Sequence, residues 1–146
     1  MGQPAEVYEL KIAVELTDID QLGHVSNITY VRWVQDAAQA HWTARATTED
    51  QERLLWIVLR HEIDYKQSAR LGDNIRARTW VGAATHATFE RFTELRRAAD
   101  GVLLAKARTL WCPIDAQTRR PARVSAALRE QFSTASTAAG KCPQRF

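Results

Sequence analysis

One run of helical period stands in a chain that otherwise alternates. From Asn27 onward, Tyr30, Trp33, Val34, Ala37, Ala38 and His41 fall at the spacings that line one face of an α-helix. Ser26 or Asn27 supplies the N-cap, since either side chain can accept a free backbone N–H of the first turn. Val31, Ala40 and Trp42 make much of the remaining surface apolar, so this helix is expected to be buried on most of its sides.

The rest reads as strands. Tyr8, Leu10, Ile12, Val14 and Leu16 alternate with polar residues, the period-two mark of a half-buried strand. Thr47 to Arg53 reads as a charged, mobile connection. Leu55, Ile57, Leu59, His61, Ile63 and Tyr65 then alternate along one long element, and Gly72-Asp73 marks a turn. Further strands run through Ile75 to Val81, through about Ala87 to Arg97, and through Leu103 to Trp111, where Pro113 is expected to stop the last. Asp100-Gly101 is a hairpin signal. A short helix from about Ser125 to Phe132 follows. The Ser-, Thr-, Ala- and Gly-rich remainder predicts a single domain over 1–132 and a disordered tail over 133–146. A buried helix among hairpins needs a sheet bent around it. The fold class is therefore α+β: a curved antiparallel sheet of about five strands around one long central helix.

Composition narrows the function. A chain of 146 residues, 45% hydrophobic and 25% charged, suits one soluble domain with its own core. Charges interrupt every apolar stretch, and Met1 to Glu15 has no basic start followed by an apolar block. A cytoplasmic protein without membrane contact is expected. Cys112 in an apolar strand and Cys142 in a polar tail make no disulfide framework, and Cys112 reads as a small buried hydrophobe. The net charge of +3 is mild and its basic residues are scattered, which argues against a nucleic-acid partner. Local clusters at Arg96-Arg97 and at Arg119-Arg120 with Arg123 could instead hold a small anion.

The loop Asp18-Ile19-Asp20-Gln21-Leu22-Gly23-His24 carries the chemistry. It fails as a calcium loop, having Leu22 at the third ligand position and Thr29 at the twelfth, where a bidentate Glu is needed. It fails as a zinc site for want of a second nearby His, so neither a metal nor a cofactor is expected. Ser26 sits in no nucleophile elbow. What remains is a carboxylate and a glycine-bearing turn running into a helix N-terminus. Unpaired N–H groups there could hold a developing oxyanion while the carboxylate acts as base or nucleophile. Asp18 is the rival to Asp20.

Asp20-Gln21-Leu22-Gly23-His24-Val25-Ser26-Asn27 with Tyr30 resembles the D-x-x-G-H-V-x-N-x-x-Y signature of the 4-hydroxybenzoyl-CoA thioesterase family. The likeness continues in Tyr65 to Asp73, similar to that family's Y-x-x-P-x-x-x-G-D turn with Ser68 in place of proline. It extends to Ile114-Asp115 and to Thr118-Arg119-Arg120-Pro121, similar to T-G-R-P with Arg119 replacing glycine.

The resemblance covers about residues 6 to 132 and implies a hotdog-fold acyl-CoA thioesterase. Asp20 would be its catalytic carboxylate and the Asn27 N–H its oxyanion donor. Gly23 would permit close backbone approach, with His24 and Tyr30 lining or bracing the substrate site. It also implies a homodimer or dimer of dimers, and an acyl-CoA or acyl-carrier substrate whose phosphates would meet some of Arg91, Arg96, Arg97, Lys106, Arg108 and Arg123. Two alternatives stand beside it: a non-catalytic acyl-CoA or carrier-binding module, and a hotdog dehydratase for which His61 and His86 would be the histidine candidates.

Overall fold

The helix begins one residue after its cap. In the computed structural model, which describes residues 6–133 and the backbone of 135–136, α1 spans Asn27–Arg45, and the Ser26 hydroxyl accepts the Ile28 N–H at 3.2 Å. Ser26 is thus the N-cap and Asn27 the first helical residue. The face read from the sequence is the buried one: Tyr30, Trp33, Val34, Ala37, Ala38 and His41 are all buried, with Thr29 and Trp42. The other face differs from expectation. Arg32, Gln35, Asp36, Gln39 and Thr43 are exposed, because the sheet lies against one side of the helix only.

Five antiparallel strands form that sheet: β1 (Tyr8–Ala13), β2 (Leu54–Tyr65), β3 (Asn74–Ala84), β4 (Phe89–Arg97) and β5 (Leu103–Asp115). Their order is β1-β3-β4-β5-β2, so β2, twelve residues long, forms one edge. The core between helix and sheet is built from Trp33, Val34 and Ala37 against Ile75, Ala77, Leu95 and Leu104. A second cluster gathers Trp42, Leu54, Val81, Phe89, Leu128 and Phe132. These faces are apolar because alternate strand residues share a side.

One irregularity decides what β2 shows to the helix. Val58 pairs with Trp111 but Arg60 with Leu110, so Leu59 is an extra residue in the ladder. Alternation alone would put Leu55, Ile57, Leu59, His61, Ile63 and Tyr65 on one face. The bulge breaks that parity. Trp56 and Val58 lie opposite Pro113 and Trp111, while His61 and Ile63 lie opposite Thr109 and Ala107. Since 107, 109, 111 and 113 share one side of β5, Trp56 and His61 face the same way.

Three other expectations change. Thr47 to Arg53 is no mobile connection: α2 (Thr48–Arg53) forms there, capped by the Thr47 hydroxyl on the Asp50 N–H at 3.1 Å. Gln51 Nε2 ties it to the carbonyls of Thr43 and Ala46. Pro113 does not stop β5, which runs to Asp115. Pairing with β4 ends at Trp111, so Pro113 lies where a missing N–H is tolerated. After α3 (Ala126–Phe132), capped by Ser125, the predicted tail begins with structure. The Ser133 hydroxyl donates to the Gly82 carbonyl, and β6 (Ala135–Ser136) pairs in parallel with Ala83 and Ala84 of β3. The remainder of that tail lies outside the described residues.

A polar node is sealed in the interior. His41 is fully buried. Its Nδ1 accepts from Arg91 Nη1 at 2.9 Å, since a guanidinium can only donate, which leaves Nε2–H to donate to Glu6 at 2.8 Å. Burial first, and the Arg91 charge second, push the His41 pKa down to about 4. Cys112 is also fully buried, near Ala87, Ile57 and Leu59.

Candidate active site

Residues 19–25 close a tight loop before α1. Ile19 and Val25 form a bridge, the Asp20 N–H donates to the His24 carbonyl at 2.8 Å, and the Gly23 N–H donates to the Asp20 carbonyl at 3.1 Å. Gly23 takes φ 78°, a left-handed conformation that side chains rarely adopt. One carboxylate oxygen of Asp20 accepts the Leu22 N–H at 2.9 Å and, more loosely, the His24 N–H at 3.4 Å. Among the described residues no cation meets Asp20, and its second oxygen accepts no hydrogen bond.

Asp18 is placed quite differently. Its side chain is buried and pairs with Arg32 of α1 at 2.6 Å, while its other oxygen accepts the Glu15 N–H at 2.9 Å. Its own carbonyl accepts the Ser26 N–H at 2.9 Å. It fixes the loop to the helix. Both of its carboxylate oxygens are thus engaged, unlike those of Asp20.

The cleft, about 550 Å³, is lined by Asp20, His24, Asn27, Tyr30, Tyr65 and Lys66, among others. Asn27 is the first helical residue, so its N–H has no place in the helix's own ladder. The neighbouring segment is laced to it. The Tyr65 hydroxyl donates to the Asn27 carbonyl at 3.2 Å. The Tyr30 hydroxyl accepts the Ala69 N–H at 2.9 Å, and the Val25 N–H donates to the Ala69 carbonyl at 2.9 Å. Burial pushes the Tyr30 pKa up, so the phenol stays protonated and acts as a brace.

The structure therefore brings Asp20, Gly23, His24, Asn27 and Tyr30 into one loop–helix junction. It adds Tyr65 and Lys66, which the sequence reading left without a role although they open the second motif it quoted. The phosphate candidates scatter. Arg91 is buried, Arg96 pairs with Glu94, Arg97 with Asp73 and Asp100, and Arg108 with Glu90. His61 is held by Thr109 and Gln35 in a half-buried position away from the loop. Among the described residues no cluster of three or more His, Cys, Asp or Glu side chains could hold a metal, and no helix is long and apolar enough to cross a membrane.

The thioesterase-like superfamily model matches residues 14–132 of the chain. No curated protein sequence matches it significantly. Among solved structures, a 1,4-dihydroxy-2-naphthoyl-CoA thioesterase from Synechocystis superposes with a TM-score of 0.74 at 18% identity, covering 86% of this chain and 96% of its own. A hypothetical protein from Staphylococcus aureus in complex with CoA gives 0.78 at 16% identity, over 90% and 84%. A Thermus thermophilus thioesterase complexed with coenzyme A and Zn gives 0.73 at 22%, over 85% and 90%. At these identities the structural likeness establishes the fold.

Proposed function

For a chain that belongs to the thioesterase-like superfamily and is thereby a thioester hydrolase, we propose an acyl-CoA substrate cut in the cleft where the Asp20 loop meets the start of α1. The observation that carries this reading is the pairing, in one cleft, of a carboxylate without a cation partner and the first N–H of a long helix. The thioester carbonyl accepts the Asn27 N–H, where the helix dipole favours growing negative charge. Asp20 then takes a proton from water as the water oxygen adds to the carbonyl carbon, or it attacks that carbon itself. In the first route Asp20 returns that proton to the sulfur as the C–S bond breaks, and CoA leaves as the thiol. In the second CoA leaves as thiolate and is protonated by water, and a further water hydrolyses the Asp20–acyl anhydride to the free acid and the carboxylate. Gly23 leaves room for the carbonyl, and His24 and Tyr30 shape the wall. Lys66 offers the substrate a cation at the cleft.

The D-x-x-G-H-V-x-N-x-x-Y run supports the 4-hydroxybenzoyl-CoA thioesterase branch within the superfamily. A homodimer or dimer of dimers is part of the same proposal. The long β2 edge presents unpaired backbone groups, and Leu22 and Ile28, at 78% and 80% exposure, leave apolar surface bare at the cleft itself.

Incubation with short, long and aromatic acyl-CoAs and a thiol reagent tests the assignment. Free CoA must appear, and must fail to appear with Asp20→Asn. A binding module or a dehydratase would release none, and that result would end the thioesterase reading.

A further inference from the structure

Among the described residues, Arg91 is a cation buried inside the fold with no carboxylate against it. It is 5% exposed on β4. Its Nη1 donates to His41 Nδ1 at 2.9 Å and to the Thr79 hydroxyl at 3.1 Å; both are neutral partners. The acid that comes nearest through this network is Glu6, on the far side of the imidazole ring and itself paired with Arg45. A buried charge left in this state is costly unless something pairs with it. Burial accordingly lowers the Arg91 pKa to about 10.

Arg91 also lines a chamber walled by Trp42, Trp56, Phe89, Trp111 and Phe132. The indole nitrogens of Trp56 and Trp111 are buried and have no hydrogen-bond partner among the described residues. Guanidinium and indole N–H groups donate and never accept. Gln39 adds an amide whose N–H already donates to Thr43 at 3.3 Å, so the chamber holds one amide oxygen beside donors grouped round a buried cation. A carboxylate answers the Arg91 charge, which a hydroxyl or amide would leave unneutralised. The free space, about 30 Å³, is that of a single small polar group such as a water and too small for an aryl ring.

The chamber lies in line with the cleft. Asn27, Val31, Gln35 and Gln39 succeed one another at i, i+4 along α1 and so share one side of the helix. Asn27 lines the cleft and Gln39 the chamber. Between them Gln35 meets His61 at 3.3 Å, and His61 meets Thr109 at 2.9 Å, marking a seam between α1 and β2. Twelve residues of helix from Asn27 to Gln39 span roughly 18 Å.

We propose that this chamber receives the far carboxylate of the acyl group, so that the substrate is the CoA monothioester of a long-chain dicarboxylic acid. The inference rests on the proposed thioester site at the start of α1, and it adds the class of acyl group. Arg91 is its specificity-determining residue, with the Trp56 and Trp111 N–H groups as auxiliary donors.

Two readouts test it. Hexadecanedioate and hexadecanoate are titrated as free acids while the quenching of tryptophan fluorescence is followed, and kcat/KM is compared for their CoA thioesters. The diacid should bind about tenfold or more tightly than the monoacid, the scale of a charge-assisted hydrogen bond, and its thioester should be favoured by a similar factor. Arg91→Met should erase both preferences while retaining hexadecanoate binding. Trp56→Phe with Trp111→Phe keeps the rings, removes only the N–H donors, and should reduce the preference several-fold even if Arg91→Met folds poorly. Equal or tighter binding of the monoacid, no binding of either acid, or a preference that survives in these variants overturns the proposal. Because the acid titration needs no turnover, a diacid preference without thioester cleavage would refute the thioesterase reading and leave the chamber assignment standing.

Discussion

Asp18 and Asp20 sit two residues apart in one loop, yet Asp18 is sealed against Arg32 at 2.6 Å whereas Asp20 is exposed and holds only the backbone of its own turn. The two carboxylates should therefore fail in different ways. Asp20→Asn is expected to lower kcat by ~10²–10⁴ or more with little change in stability, the range for a lost general base. Asp18→Asn should keep most of kcat and lose about 1–2 kcal/mol of stability by discharging a buried partner of Arg32. Turnover and urea midpoints on both variants check this, and a reversed pattern would reassign the chemistry to Asp18.

Tyr30→Phe removes the acceptor of the Ala69 N–H, which sits in a buried setting. An orphaned buried donor costs about 1–3 kcal/mol. The expected result is a clear fall in melting temperature with a smaller effect on kcat than Asp20→Asn gives. A variant that kept wild-type stability and lost all turnover would make the phenol a participant in the reaction.

Stability should fall in mild acid through His41. Its folded pKa of about 4 lies below the ordinary 6.5, so between those values the unfolded chain binds the extra proton. The contribution is thus complete above pH 6.5 and is lost as pH falls toward 4, amounting to roughly 3 kcal/mol at most. The charges facing the ring are Glu6, Arg91 and Arg45. Denaturation midpoints from pH 7.5 to about 4.5 should slope downward in the wild type and flatten in His41→Gln; parallel slopes would remove His41 as the cause.

Arg119 stands at φ 62°, the left-handed region, in the turn that follows β5. The turn itself is well made, since one Asp115 carboxylate oxygen accepts the N–H groups of Gln117 and Thr118 at 2.8 Å each. An arginine there is strained where glycine would not be. Arg119→Gly should raise stability by about 1 kcal/mol, and a lower melting temperature would show that the arginine side chain has a role of its own.

Light scattering after size exclusion should give a mass of at least twice 16.5 kDa. A strict monomer at micromolar concentration would count heavily against a partner over the bare Leu22–Ile28 surface and the β2 edge.

Much of this architecture was legible in the sequence because it rests on period and capping. A cap at Ser26 or Asn27, the Tyr30-to-His41 face and the Asp20–His24 loop all follow from residue types at fixed spacings. What escaped depends on partners distant in sequence. Alternation could not reveal the Leu59 bulge, since only the register against Trp111 and Leu110 exposes the extra residue. Pro113 signals a stop unless β4 is known to end opposite Trp111. The stretch over 48–53 looked loose because its helix has no buried residue; Gln51 and the Thr47 cap hold it instead. The D-x-x-G-H spacing already favoured Asp20 over Asp18, but the letters could not show that Asp18 is tied to Arg32, fourteen residues on.

The extra residue in β2 acts as a change of phase. A strictly alternating strand could turn Trp56 or His61 and Tyr65 toward α1, not both sets. With Leu59 inserted, one strand equips both ends of the same seam, and each half keeps its own alternation. Deleting Leu59 would return the strand to a single phase and swing one half's side chains to the outer face, uncoupling thioester from acyl terminus without touching a residue of either.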